Sequence, residues 1–296
     1  MSKSLRVGFV GTGIMGAPMA ANCLKAGFAV TVFNRSVEKT QPLVEAGAAV
    51  ADSPAAVAAA SDIVCSCVTA DDDVRQVVLD ETTGIIAGAR DGLIVVDHST
   101  VSPGVAVECA DALKTKGAGF LDAPISGGDV GAKAGTLSIM VGGEKAHFDA
   151  ALPVLDVMGG TVTYCGGSGA GYTVKLCNQI LGALHLVAAA EAISLAKAAD
   201  VDVDAMLKAV SSGAAGSWML SNLAPKMASG DFAPGFFIDY QLKDLKLAMA
   251  ASDGLGLPLP GASLATQLMK SASALGHGRD GTQAIIAALQ NLAGNG

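Results

Sequence analysis

The sequence predicts an α/β fold: a Rossmann-type doubly wound sheet in the first half, followed by an all-α C-terminal half. Three observations predict it. Short apolar runs alternate with amphipathic or Ala-rich segments as far as residue 166, a G-x-G-x-x-G follows the first run directly, and strand patterns nearly vanish after Gly171. The boundary therefore falls at 166/167, giving a dinucleotide-binding domain over 1–166 and a helical domain for substrate and oligomerisation over 167–296. A chain of 296 residues suits two domains of roughly 150 residues each.

The expected strands are 5–10 (LRVGFV), 29–34, 62–68, 92–97 and 119–124. Each is a continuous apolar run, the pattern of strands buried on both faces of a parallel sheet. TLSIMVGG at 136–143 and TVTYCG at 161–166 add two more. Helices are expected near 14–26, 36–46, 53–60, 72–79, 102–116 and 144–157, then near 169–199, 202–211, 217–228, 239–255, 260–275 and 282–293. Gly and Pro punctuate the later joins, as at Gly213–Gly216 and Pro258–Pro260.

Composition removes several function classes. With 51% hydrophobic and 16% charged residues, the chain lacks the signature of intrinsic disorder. A net charge of −8 without any Lys/Arg cluster argues against nucleic acid as a partner. The longest charge-free apolar stretch, between Lys175 and Glu191, holds Asn178, Gln179 and His185 and is shorter than the roughly 20 residues a membrane span needs. It reads as a buried core helix, and no signal peptide is expected ahead of the first strand. The six cysteines form no CxxC, which fits reduced thiols in a cytoplasmic protein. The four histidines have no ligand spacing, so no metal site is expected; His185 reads as a core or interface residue.

Gly11-Thr12-Gly13-Ile14-Met15-Gly16 lies between the first strand and the first helix, the context that gives the motif meaning. The first Gly allows the turn, the second admits a pyrophosphate, and the third lets helix pack on strand. The second strand ends at Asn34-Arg35-Ser36, where NAD-preferring sites place an acid for the ribose hydroxyls. Asn34 lacks that charge, and Arg35 with Ser36 suits a 2′-phosphate, so NADP is the expected cofactor. Ser126, Gly127 and Gly128 follow a strand end and could form an anion nest for a carboxylate. Lys175 and Asn178 share a face of the long helix with Gly182 and His185. A lone Lys in an apolar helix is costly to bury without purpose, which makes Lys175 a candidate general acid/base with Asn178 orienting the substrate or the amine. Asp239 is a candidate cleft residue, and Trp218 either contacts substrate or packs.

Taken together, GFVGTGIMGAPMAAN, DAPISGGDVGAKAGTLSIMVGG, GYTVKLCNQ and FFIDYQLKDLKLA resemble the β-hydroxyacid dehydrogenase family across nearly the whole chain. That family includes 3-hydroxyisobutyrate dehydrogenase, tartronate semialdehyde reductase and glyoxylate/succinic semialdehyde reductase. The resemblance implies that Lys175 is the catalytic Lys with Asn178 beside it, and that Ser126, Gly127 and Gly128 hold the substrate carboxylate. It also implies that Val68, Thr100 and Lys243 reach the cofactor. Thr12 departs from the Leu common between the first two glycines and leaves all three in place. The implied activity is NADP(H)-dependent interconversion of a small carboxylate-bearing aldehyde and its hydroxyacid. NADP and the segment AAGSWML lean towards glyoxylate/succinic or tartronate semialdehyde over methylmalonate semialdehyde. Imine reductases share the length and architecture but commonly carry Asp or Tyr where Lys175 stands. A non-catalytic NADP sensor would tend to lose that Lys. The apolar 176–190 stretch and the Ala-rich helices suggest a homodimer or homotetramer.

Overall fold

The computed structural model describes residues 5–294, and the chain divides into two compact units, Met1–Lys175 and Leu176–Gly296. The first contains β1 (Arg6–Val10), α1 (Gly16–Lys25), β2 (Ala29–Phe33), α2 (Gln41–Glu45), β3 (Ala49–Val50), α3 (Pro54–Ala60), β4 (Ile63–Ser66), α4 (Asp71–Leu79) and α5 (Ile85–Gly88). It continues through β5 (Ile94–Asp97), α6 (Pro103–Lys114), β6 (Gly119–Asp122), β7 (Ile125–Ser126), α7 (Gly128–Ala134), β8 (Leu137–Gly143), α8 (Lys145–Leu155) and β9 (Gly159–Gly166). Helix α9 (Ala170–Ala198) begins in the first unit, and its remainder belongs to the second. The second unit adds α10 (Val203–Ser211), α11 (Trp218–Asn222), α12 (Ala224–Ser229), α13 (Ile238–Gly254), α14 (Pro260–Ala274) and α15 (Ile286–Leu292).

The strands order as β3-β2-β1-β4-β5-β6-β8-β7, with β9 paired to β8. From β3 to β6 every pairing is parallel, as the apolar runs require. Alternate residues feed two cores: Val7, Phe9, Ile63, Val96 and Leu121 pack in one, Val10, Val64, Val95 and Phe120 in the other. At the far end of the sheet, where the sequence pattern predicts two strands but no direction, β8 runs antiparallel to both β6 and β7 and β9 runs parallel to β8. The seven-residue β8 is still buried almost throughout, so its run reads the same in either direction. β9 has no fully buried residue, unlike the other long strands.

Three local expectations also change. Residues Gly128–Ala134, where no helix is expected, form one, α7, closed by Gly135 in the left-handed region and supported by a Lys133–Asp129 pair one turn apart. The single helix expected over 36–46 splits into a 3₁₀ turn, Val37–Thr40, and α2, with Pro42 in the first turn of the latter. The one expected over 217–228 breaks at Leu223, ahead of Pro225. A side-chain tether joins α1 to α7: Asn22 on α1 is buried, and its Nδ2 donates to the Ala132 carbonyl on α7 at 2.8 Å.

The second unit packs around Ala183, Leu186, Ala190, Leu242, Leu245, Ala265 and Met269, where the alanines let helices approach closely and the longer side chains fill between them. Gly261 at the start of α14 faces Leu184 of α9, where an added Cβ would sit 3.2 Å from Leu184 Cδ2. By length and composition α9 is the one helix among the described residues able to cross a bilayer, and half of its apolar window is buried inside the fold.

Candidate active site

The turn between β1 and α1 is built around its glycines. Gly11 has φ +92°, and a Cβ there would stand 2.3 Å from the Cys67 carbonyl oxygen. A Cβ on Gly16 would stand 1.9 Å from the Gly11 carbonyl oxygen, whereas Gly13 is exposed with nothing within 4 Å. Only the middle glycine opens onto free space, at a helix N-terminus whose amides suit an anion. This geometry fits a dinucleotide pyrophosphate. Ile14 is exposed and Met15 half-buried on the same turn. Thr12 is buried, and its N–H donates to Asn34 Oδ1 at 3.0 Å.

Asn34 Nδ2 donates to the Ser36 carbonyl at 3.0 Å, so both ends of the carboxamide are engaged in tying the end of β2 to the glycine turn. Asn34 therefore shapes the cradle. Arg35 is 81% exposed and carries its guanidinium 3.8 Å from Asp73 Oδ1, in the first turn of α4. Just beyond β4, the Val68 N–H donates to Ser99 Oγ at 2.9 Å. Thr100 is half-buried just beyond β5.

Ser66, Asp97 and Asp122 are register neighbours at the carboxyl ends of β4, β5 and β6, and all three are fully buried. Asp97 Oδ1 accepts from the Ser99 N–H at 2.9 Å and from Tyr172 Oη at 2.7 Å; its Oδ2 accepts from the Ser66 and Ser99 hydroxyls. Asp122 accepts from the N–H groups of Gly169 and Tyr172, each at 2.9 Å. Burial pushes the Asp122 carboxyl up to about 6 despite those donors. Burial, then the Asp97 charge, push the Tyr172 hydroxyl well above its ordinary value, so it is a donor at neutral pH. His98 Nδ1 sits 2.7 Å from the Ala123 carbonyl, and burial holds its imidazole below the usual range.

Just past Asp122, Ser126 is half-buried, and Gly127 and Gly128 are exposed with φ +130° and +64°. The positive angles turn the chain from β7 into α7 and leave the loop open. Lys175 lies in the second turn of α9 and is buried; Asn178, one turn on, is half-buried. Asn178 Nδ2 donates to Gln179 Oε1 at 2.8 Å. Gln179 Nε2 in turn donates to Asp244 Oδ2 at 2.6 Å and to Gln241 Oε1 at 3.3 Å, while Gln241 Nε2 returns to the Gln179 carbonyl. Asp244 Oδ1 stands 3.1 Å from Lys243 Nζ. The structure thus joins Asn178 to Lys243 through Gln179 and Asp244.

Asp239 is exposed and accepts from Ser273 Oγ at 2.7 Å, beside Gly278. Trp218 is largely exposed. His185 is exposed too, which removes the core half of its expected core-or-interface place: the buried side of α9 has rotated away by that residue. No group of His, Cys, Asp or Glu able to hold a metal ion occurs among the described residues. Sequence reasoning missed Asp97, Asp122, Tyr172, Gln179 and Asp244. An acid ending an apolar strand, or a Gln following Asn178 in an apolar helix, was the available signal.

Residues 6–167 match the family described as the NAD binding domain of 6-phosphogluconate dehydrogenase. Residues 169–289 match the one described as NAD-binding of NADP-dependent 3-hydroxyisobutyrate dehydrogenase. A probable 3-hydroxyisobutyrate dehydrogenase-like protein of Arabidopsis thaliana is 42% identical, over 98% of this chain and 86% of that protein. The 2-hydroxy-3-oxopropionate reductase of Escherichia coli is 35% identical, over 98% of both chains. The solved structure of Mycobacterium tuberculosis 3-hydroxyisobutyrate dehydrogenase with L-serine superposes with a TM-score of 0.89 at 32% identity, covering 97% of this chain and all of that one.

Proposed function

The chain belongs to the 3-hydroxyisobutyrate dehydrogenase family of hydroxyacid dehydrogenases, and from that premise we propose that it is an NADP(H)-dependent reductase of a small semialdehyde or glyoxylate, reversible to the hydroxyacid. The observation that carries the chemistry is Lys175, an ammonium buried in an apolar helix one turn from Asn178. The nicotinamide, when bound, supplies or accepts the hydride. Lys175 polarises the carbonyl and delivers its proton to the developing alkoxide; in the oxidative direction it takes the hydroxyl proton. Asn178, held by Gln179, orients the reacting group. Ser126 and the open Gly127–Gly128 turn receive the substrate carboxylate.

NADP over NAD rests on Arg35, exposed and ready for a 2′-phosphate, and on Asn34, whose carboxamide is engaged elsewhere. A homo-oligomer is supported by Leu181 and Leu195 on α9 and Leu264 on α14, each more than half exposed in the single chain. Light scattering on a size-exclusion column checks it, with Leu181→Glu expected to lower the mass. Six free thiols support a reducing, cytoplasmic setting.

The test is nicotinamide absorbance decay with NADPH and NADH against glyoxylate and tartronate, succinic and methylmalonate semialdehydes, using wild type and Lys175→Ala. Turnover lost in Lys175→Ala, with NADPH still bound, supports the reading. Turnover retained without Lys175 refutes the acid/base role.

A further inference from the structure

Proton delivery by Lys175 involves neither of the carboxylates that close β5 and β6. Asp97 and Asp122 are side by side and fully buried, a placement that is costly unless each oxygen has donors. Beside the Ser66 and Ser99 donors to Asp97, one segment reaches both carboxylates. Gly169 and Tyr172 give their N–H groups to Asp122, and the Tyr172 hydroxyl reaches Asp97. These groups flank the start of α9, where helix N–H groups lack partners of their own and a carboxylate meets the positive end of the helix. The seat has no slack. A Cβ on Gly171 would lie 2.3 Å from the Asp122 carbonyl oxygen and 2.4 Å from that of Met140, and one on Gly142 would lie 2.7 Å from the Gly171 nitrogen. Lys175 stands one turn beyond Tyr172 on the same helix.

We infer that Asp122 and the Asp97–Tyr172 pair are positioning residues for Lys175, seating the first turn of α9 on the ends of β5 and β6 and so setting where the ammonium delivers its proton. The inference rests on the general-acid reading of Lys175. Hydrogen bonds to a carboxylate are short and directional, and they locate a turn more tightly than apolar contact does. A misplacement of about 1 Å at a reacting group can lower a rate on the order of 100-fold. Asp97 also accepts from Ser99, whose hydroxyl receives the Val68 N–H, so the same anchor reaches the segment just beyond β4.

The test uses Tyr172→Phe, which keeps the buried ring and removes one donor, and Asp122→Asn, which turns one acceptor into a donor. With glyoxylate and succinic semialdehyde as probes, kcat falls about 10- to 100-fold in each. The substrate KM and the NADPH Kd stay within about twofold, and the solvent deuterium effect on kcat rises as proton delivery slows. In the cofactor-free protein, amide exchange at residues 169–175 accelerates at least tenfold. Gly142→Ala, which keeps Asp122 but presses a methyl on its carboxylate and on the Gly171 nitrogen, repeats the kcat loss and covers the case in which Asp122→Asn does not fold. Wild-type kcat in Tyr172→Phe, or a kcat loss matched by equal loss of NADPH affinity, overturns the inference. Turnover surviving in Lys175→Ala removes its premise instead, so the two failures are distinguishable.

Discussion

Gly13 and Gly16 sit in the same motif, yet substitution by Ala should separate them cleanly. At Gly16 a Cβ would be 1.9 Å from the Gly11 oxygen, against the 3.0 Å that real Cβ atoms keep, so the turn must open by about 1.1 Å. Overpacking of this kind costs roughly 1–3 kcal/mol. At about 2–4 °C per kcal/mol for a unit of this size, Gly16→Ala should lower Tm on the order of 5 °C even without cofactor. At Gly13 the Cβ meets nothing. Restricting the unfolded chain there should stabilise by about 0.4–1 kcal/mol, so Tm holds or rises slightly. That same methyl occupies the face a pyrophosphate approaches, and NADPH affinity should drop at least about tenfold, roughly 1.4 kcal/mol. Scanning calorimetry and NADPH fluorescence titration read the two effects. A Gly13→Ala protein binding NADPH like wild type would refute the placement of the pyrophosphate. A Gly16→Ala protein melting with wild type would refute the steric argument.

Arg35→Ala should raise the NADPH KM about tenfold or more with NADH unaffected, because a charge-assisted contact to the 2′-phosphate is lost; Asp73→Asn, which frees Arg35 of its 3.8 Å partner, should lower it modestly, and paired cofactor titrations check both. Asp122 carries a pH signature. Its folded-state value near 6 lies above the unfolded 3.8, so its stabilisation is full below about pH 4 and lost as pH rises through 6, on the order of 3 kcal/mol in all. Melting wild type against Asp122→Asn should therefore show the difference moving in favour of wild type between pH 7 and pH 5, and a pH-independent difference contradicts this. Gln179→Leu removes the Nε2 donor from buried Asp244 and should cost about 1–3 kcal/mol, seen as a Tm lower by several degrees. Gln179→Glu instead places a second carboxylate against Asp244, and its stability should recover as pH is lowered.

The parallel half of the sheet was legible because β1, β4, β5 and β6 are buried on both faces, which forces continuous apolar runs. The reversal at β8 was not, since an interior strand is apolar whichever way it runs. β7 has two residues, too few for any period, and α7 is hidden behind glycines that ordinarily signal a turn. In the site, the glycine motif and Lys175 were legible because their chemistry is local: a turn that needs no Cβ, a charge in an apolar helix. Asn34 was half legible, as a residue without the acid's charge; its link to Thr12 spans 22 positions. Gln179 gains its meaning from Asp244, 65 positions away, and Tyr172 from Asp97, 75 away. A polar residue whose partner is brought by the fold looks, along the chain, like any other polar residue.

The buried bond from Asn22 to Ala132 has a thermodynamic corollary. It ties α1, which follows the glycine turn proposed for the pyrophosphate, to α7, which begins in the loop proposed for the substrate carboxylate. Anything that settles α1 narrows the arrangements open to that loop. Occupancy of one site then changes affinity at the other by a common factor in both directions, since coupling between binding equilibria is reciprocal. Cofactor and acid then alter each other's hold equally, whichever arrives first, through a single side-chain amide.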